Sequence, residues 1–159
     1  MSIKYAVMII AAALFTTSAF GQSEGERLAS LAFKSVDENS DGFISMEEYQ
    51  AFGALVFVSM DANDDGVLTF EEFGSWGFGM QNIAEDSKRV QAYETARKVV
   101  FDLWDRSFDW RLTRAEQRRG LASDLFSSDE DRDGRLSEEE FLRYSIYNVT
   151  LRSALRPDA

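Results

Sequence analysis

Three stretches of this chain, each twelve residues long, repeat one pattern of oxygen-bearing side chains around a glycine. Each has Asp at position 1, Asn or Asp at position 3, Asp at position 5, Gly at position 6 and Glu at position 12. The stretches are residues 37–48, 61–72 and 129–140. From average residue usage, one match has a chance of about 10⁻⁶ to 10⁻⁵ per starting position. Three matches are therefore not accidental, and the fold must accommodate three tight acidic turns.

The pattern has the chemistry of a site for a hard cation. Calcium takes six to eight oxygen ligands at about 2.3–2.6 Å, and a tight turn directs alternate side chains toward one centre. Positions 1, 3, 5 and 12 supply side-chain oxygens, whereas position 7 supplies its backbone carbonyl. Glycine at position 6 suits a turn in which φ is positive. We therefore predict about three Ca²⁺ ions per chain. The predicted ligands are Asp37, Asn39, Asp41, Phe43 and Glu48 in the first loop, Asp61, Asn63, Asp65, Val67 and Glu72 in the second, and Asp129, Asp131, Asp133, Arg135 and Glu140 in the last.

A further segment, residues 105–116, keeps part of the pattern. It has oxygen-bearing residues at four ligand positions, namely Asp105, Ser107, Asp109 and Glu116. Trp110 stands in place of the glycine, and a bulky residue in a left-handed conformation costs roughly 1–2 kcal/mol. Three arginines add positive charge: Arg106, Arg111 and Arg114. The segment is either a weak metal loop or a degenerate loop that serves as a packing partner, and its backbone and charge favour the second interpretation.

The spacing of the loops predicts helices that are shared between them. The loops begin at residues 37, 61, 105 and 129, so twelve residues separate the first loop from the second and the third from the fourth. One helix fits there, and a helix of about 15 residues is about 22 Å long, which holds its two loops apart. We therefore predict that Ile44 of the first loop pairs with Leu136 of the fourth, and Leu68 of the second with Leu112 of the third. The alternative is a break at Gly53, which would bring the first and second loops together.

Two more helical segments follow from the apolar pattern. One long helix is predicted from about Glu85 to Trp104, with Val100 and Phe101 on its buried face. One last helix is predicted after the fourth loop, with Phe141 and Leu155 in the core.

The N-terminus has the features of an export signal. Lys4 precedes an apolar run from Tyr5 to Phe15, and small residues follow at Ala19 and Gly21. We predict a signal peptide over residues 1–21, with cleavage after Ala19 as the alternative to cleavage after Gly21. The run is too short for a membrane anchor, which needs about 20 apolar residues. We therefore expect one domain, residues 22–159, in the periplasm or outside the cell.

Composition narrows the function further. The chain has no cysteine and no histidine, so the commonest catalytic base and the thiol nucleophile are missing, and we predict that it is not an enzyme. Its formal net charge of -11 argues against a nucleic-acid partner. The sequence identifies no protein partner.

From residue 23 to about residue 155, the repeated loops resemble the EF-hand calcium-binding family. The short spacing and the export signal also resemble the lanmodulin type of exported bacterial EF-hand protein, which selects lanthanides. That type carries proline at position 2 and aspartate at position 9 of its loops. This chain instead has Glu38, Ala62 and Glu130 at position 2, and Ser45, Thr69 and Ser137 at position 9.

The resemblance implies an all-α fold of helix–loop–helix units that binds calcium and has a buffering, structural or adaptor role. Two alternatives remain. One is a calcium sensor that exposes an apolar surface to a partner protein, and the other is a lanthanide-selective carrier.

Overall fold

The computed structural model describes residues 24–75 and 79–155. The predicted signal peptide therefore lies outside the described residues. Helices dominate the described part, and the strands are only two residues long. The elements in chain order are α1 (Glu24–Val36), β1 (Phe43–Ile44), α2 (Met46–Met60), β2 (Val67–Leu68), α3 (Phe70–Gly74), α4 (Met80–Asp86), α5 (Val90–Trp104), β3 (Leu112–Thr113), α6 (Arg114–Ser128), β4 (Leu136–Ser137), α7 (Glu138–Tyr144) and α8 (Ile146–Ala154). The predicted all-α class is confirmed.

The two shared helices are present. α2 runs without interruption from the first loop to the second, and α6 runs from the third to the fourth. Each begins with a capping box. The position-9 hydroxyl accepts from the backbone amide of the position-12 glutamate, and the carboxylate of that glutamate accepts from the backbone amide of position 9. A loop therefore ends and its helix begins on the same pair of residues, such as Ser45 and Glu48. The alternative break at Gly53 is wrong.

The short strands join the loops in the predicted pairs. β1 pairs with β4 in an antiparallel register that places Ile44 opposite Leu136. β2 pairs with β3, with Leu68 opposite Leu112. All four aliphatic side chains are fully buried, so each loop pair closes over its own small apolar contact.

Glycines inside the shared helices allow the helices to cross closely. A Cβ at Gly53 would collide with the Leu121 side chain, and the Gln117 Nε2 donates to the Gly53 carbonyl at 3.0 Å. At Gly120, a Cβ would lie 2.6 Å from two atoms of the Trp104 ring. Gly53 therefore marks a helix crossing and not a helix break.

Aromatic side chains fill the interior between the helices. Phe33 of α1 packs on Phe141 of α7 with ring centroids 5.8 Å apart. Trp104 stacks on Tyr147 at 5.6 Å, and Phe101 is fully buried beside Phe73. These contacts join α1 to α7, α5 to α8 and α3 to α5.

The predicted helix from Glu85 to Trp104 is wrong at its start, because a turn separates α4 from α5. Lys88 has a φ of 59°, and the Arg89 amide bonds back to the Ala84 carbonyl at 2.7 Å. The Arg89 side chain also donates to the Ala154 carbonyl at 2.9 Å. This bond to the distant end of α8 holds the turn, and the predicted helix begins only at Val90.

The single last helix is also wrong, because Ser145 divides it into α7 and α8. The Ser145 Oγ donates to the Asp124 carboxylate at 2.8 Å and accepts from the Asn148 amide. Phe141 and Leu155 are buried as predicted. Across residues 24–75 and 79–155, none of the helices is both long and apolar enough to cross a bilayer.

Candidate metal centre

All four loops have the same backbone, with positive φ at positions 4 and 6. At position 4 the residues are Ser40, Asp64, Phe108 and Arg132, with φ between 58° and 63°. At position 6 they are Gly42, Gly66, Trp110 and Gly134, with φ between 65° and 88°. The predicted need for positive φ at position 6 is confirmed, and position 4 was missed because its side chains follow no common pattern.

A hydrogen bond closes each turn between positions 1 and 6. The amides of Gly42 and Gly66 donate to the carboxylates of Asp37 and Asp61, each at 3.0 Å. The corresponding bonds of the third and fourth loops, to Asp105 and Asp129, are both 2.9 Å. The position-1 carboxylate is thereby fixed at the centre of each loop.

The ligand side chains at positions 3 and 5 are held in the same way. In the first loop, the Asp41 amide donates to the Asn39 Oδ1 at 2.7 Å, and the Phe43 amide donates to the Asp41 Oδ1 at 2.9 Å. The second loop repeats these bonds at Asn63 and Asp65, at 2.9 and 3.1 Å. Hydrogen bonds from backbone amides therefore orient these side-chain oxygens without the help of a cation.

The position-7 residues lie where each loop enters its short strand. Phe43 and Val67 begin β1 and β2, and Arg135 directly precedes β4. The Arg135 guanidinium stacks over the Phe43 ring at 4.0 Å. The Arg135 side chain therefore lies against the first loop, which agrees with a ligand role for its backbone carbonyl.

The position-12 glutamate spans each loop. Glu48 accepts from the Asn39 amide through one oxygen and from the Ser45 amide and hydroxyl through the other. These bonds, led by the Ser45 hydroxyl, lower the pKa of Glu48, and bonds from Thr69 lower that of Glu72. Burial raises the pKa of Glu140, but hydrogen bonds led by Ser137 outweigh it and the net pKa is lowered. All three glutamates are ionised at neutral pH, as a cation requires.

The oxygens of the fourth loop fit one calcium ion. One carboxylate oxygen each from Asp129, Asp131 and Asp133 lies within 4.8 Å of the other two. Ligands 2.3–2.6 Å from a common ion are separated by no more than about 5 Å, so one ion can contact all three. Loops 1 and 2 have the neutral Asn39 and Asn63 in place of Asp131, so they offer one fewer charge.

The third loop has the binding backbone although it lacks the glycine. Trp110 adopts a φ of 65° and its side chain is 59% exposed, with the Lys98 Nζ 4.4 Å from the ring centroid. A Cβ added at Gly42, Gly66 or Gly134 meets nothing within 4 Å. Position 6 therefore requires a backbone conformation and not empty space, and Trp110 meets that requirement at an energetic cost.

Two arginines of the third loop point into the second loop. The Arg111 Nη2 is 3.1 Å from the Asp65 Oδ2, and the Arg114 Nη2 is 3.8 Å from the Asp61 Oδ2. Asp61 and Asp65 are predicted metal ligands at positions 1 and 5. The sequence locates these arginines in the third loop but gives no sign of their reach into its partner.

A buried acid outside the loops was also missed. Asp124 on α6 is 2% exposed and accepts from the Tyr49 hydroxyl at 2.6 Å and from the Ile146 amide at 2.6 Å, besides Ser145. Burial raises the pKa of Asp124. Its position between Leu121 and Leu125, both buried, is the one signal in the sequence for this role. Asp124 connects α2, α6 and the start of α8.

Comparison with known families agrees with this geometry. Residues 28–53 and 54–75 each match the EF hand family, and these ranges contain the first and second loops. Comparison with curated proteins found no match to the chain. The third and fourth loops lie outside the two matches but share their backbone conformation and closing hydrogen bonds. The fold is therefore an all-α EF-hand fold.

Proposed function

We propose that this EF-hand chain is an exported calcium-binding protein, that three loops each take one ion, and that the bound ions stabilise the fold in a buffering, structural or adaptor role. One observation carries the proposal. The three loops with complete ligand sets have one common backbone, in which amides already orient the ligand oxygens. Export is supported by the signal features of residues 1–21.

Charge repulsion explains why calcium stabilises the fold. The fourth loop contains four carboxylates, at Asp129, Asp131, Asp133 and Glu140, and one oxygen from each of the three aspartates lies within 4.8 Å of the other two. The whole chain carries a net charge of -11. A dication that binds only the folded chain offsets this repulsion. Such binding stabilises by about 2.7 kcal/mol per site when free calcium is 100-fold above the dissociation constant.

The methionines favour stabilisation over a sensor role. Sensors of this fold class expose flexible, methionine-rich surfaces when calcium binds. After residue 21 this chain has only Met46, Met60 and Met80. Met60 and Met80 are buried, and Met46 packs against the core. The apolar interior is instead aromatic, and aromatic rings rearrange less readily than methionine side chains.

The test is a calcium titration of residues 22–159 by calorimetry, with thermal melts in calcium and in chelator. We expect three ions per chain and a midpoint that rises strongly with calcium, while binding of an apolar dye changes little. Glu140→Gln is expected to lower the count to two. A midpoint that hardly moves while dye binding rises sharply would show a sensor instead. N-terminal sequencing of the exported chain is expected to begin at Gln22.

A further inference from the structure

We infer that the third loop regulates the second, because Arg111 and Arg114 act as built-in counter-ions that compete with calcium for the carboxylates of the second loop. The second loop is then the weakest of the three calcium sites. This inference rests on the proposed function, since it assigns an order of affinity to the proposed sites.

The contacts come from both ends of β3. Arg111 precedes the strand and Arg114 follows it, and the pairing of Leu68 with Leu112 places both beside the second loop. The Arg111 Nη2 lies 3.1 Å from the Asp65 Oδ2, and the Arg114 Nη2 lies 3.8 Å from the Asp61 Oδ2. Two of the four side-chain ligands of that loop therefore face a guanidinium.

Neighbouring contacts hold the arginines in place. The Arg114 guanidinium stacks over the Phe57 ring at 4.5 Å, and Phe57 is fully buried. The backbone amide of Arg111 donates to the Asp109 Oδ1 at 2.9 Å, which is the bond that position 7 makes in every loop. Both side chains thus start from fixed backbone positions next to the second loop.

The other loop pair differs. Arg135 has the position in the fourth loop that Arg111 has in the third, but its Nη2 is 3.1 Å from Asp133 of its own loop. Its guanidinium then stacks over Phe43 of the first loop. In the described part of the chain, no ion pair reaches Asp37 or Asp41 of the first loop. The fourth loop has one arginine contact, at Asp133, and an additional carboxylate at Asp131. The negative charge of the second loop is therefore the most strongly neutralised of the three.

The arginines are expected to stabilise the calcium-free fold and to weaken the binding of calcium to the second loop. In the absence of the ion, the arginines relieve repulsion between Asp61 and Asp65 and stabilise the fold. In its presence, calcium must displace Arg111 from Asp65. Exposed ion pairs of this kind change an equilibrium by about 1.5- to 5-fold. A purely structural arginine would instead stabilise the protein to a similar extent in both conditions.

The experiment compares Arg111→Gln with Arg106→Gln in residues 22–159. Arg106 is an exposed residue of the same loop, and the described contacts do not join it to the second loop. Both variants lose one positive charge, but only Arg111→Gln removes a contact with the second loop. The amides of Gly42, Gly66 and Gly134 each bond to the position-1 carboxylate of their own loop. Their NMR signals in a calcium titration therefore report the three sites separately.

We expect Gly66 to respond last in the wild-type protein. In Arg111→Gln, its midpoint is expected to fall about two- to fivefold, while those of Gly42 and Gly134 stay within the small uniform shift of Arg106→Gln. The melting midpoint in chelator is expected to fall more for Arg111→Gln than for Arg106→Gln. Arg111→Lys keeps the charge and is expected to remain close to the wild type.

The possible failures are distinguishable. If the Gly66 signal responds to calcium at the same concentration in Arg111→Gln and Arg106→Gln, the arginine inference is wrong and the proposed function stands. If the Gly66 signal does not respond to calcium in the wild-type protein or either variant, the second loop is not a calcium site and the proposed count of three is wrong.

Discussion

Trp110 shows that a residue other than glycine can adopt the left-handed conformation at position 6 of a loop. It adopts the left-handed conformation that glycine has in the other loops, and its ring projects into solvent below Lys98. The third loop therefore differs from the others in its ligands and charges, and not in its turn.

Replacing Trp110 with glycine is expected to stabilise the protein without creating a site. We expect the free energy of unfolding in chelator to rise by about 1 kcal/mol, because the left-handed strain is removed. The count by calorimetry stays at three, since the position-6 amide already bonds to Asp105. Phe108→Gly, at the left-handed position 4, is expected to give a similar gain. Arg106→Gly, at a position with negative φ, should instead lose about 0.5–1 kcal/mol. A fourth ion in Trp110→Gly would contradict this explanation.

Glu116 gives the third loop a dependence on pH. Burial raises the pKa of Glu116, but hydrogen bonds from Thr113 and Ser107 outweigh it and lower the pKa to about 2. A carboxyl with a lowered pKa stabilises the fold fully above its unfolded value, near 4.5, and loses that contribution as the pH falls toward 2. We expect Glu116→Gln to be less stable than the wild type at pH 7 in calcium-free buffer.

The difference between Glu116→Gln and the wild type should shrink steadily below pH 4.5. Melts at several pH values measure it, and Glu38→Gln, a change at an exposed glutamate, serves as the control. A constant difference from pH 7 to pH 2 would show that Glu116 acts through packing alone.

At the scale of elements, the crossing of helices depends on glycine. Gly120 of α6 lies against Trp104 of α5, whose ring also stacks on Tyr147. The ring cannot retreat without disturbing that stack. We expect Gly120→Ala to destabilise by about 1–3 kcal/mol, because overpacking outweighs the better helix propensity of alanine.

The matched control is Gly25→Ala in α1. A Cβ there would lie 3.5 Å from the Arg152 side chain, an ordinary contact. We expect this variant to be neutral or slightly more stable in chemical denaturation. Equal losses at both positions would point to a general effect of the substitution and not to the contact with Trp104.

The sequence predicts those elements that depend on local rules. The ligand positions repeat within twelve residues, and the distance between loops leaves room for one helix, so α2, α6 and the pairing of Leu68 with Leu112 could be derived. The turn before α5 and the break at Ser145 could not. They depend on bonds from Arg89 to Ala154 and from Ser145 to Asp124, which join segments far apart in the sequence.

The site was predictable to the same extent. Its predicted ligands follow a position code, and in the fourth loop one carboxylate oxygen each from Asp129, Asp131 and Asp133 lies within 4.8 Å of the other two. The direction of Arg111 and Arg114 depends on which loop becomes the partner of the third and on the stacking over Phe57. Both depend on tertiary structure. The sequence alone therefore assigns the positive charge of the arginines to the third loop, although their guanidinium groups lie beside carboxylates of the second loop.

For the whole molecule, the net charge of -11 sets how the chain responds to salt. Simple salt screens repulsion among exposed carboxylates, with a Debye length of about 30 Å at 0.01 M and 3 Å at 1 M. We expect the melting midpoint in chelator to rise with added potassium chloride and the midpoint in saturating calcium to change much less. Sucrose at equal osmolality is the control. A similar salt response in both conditions would show that the bound ions do not relieve the repulsion.

Two helices and two strand pairs connect the four loops in a ring. From the first loop, α2 leads to the second, a strand pair leads to the third, α6 leads to the fourth, and a second strand pair returns to the first. Both strand pairs join a segment before residue 76 to a segment after residue 78. Neither half therefore contains a complete lobe, unlike a protein built from two independent hands. A chain severed between the halves would have to find its other half, or the same half of a second copy, before either pair of loops could close.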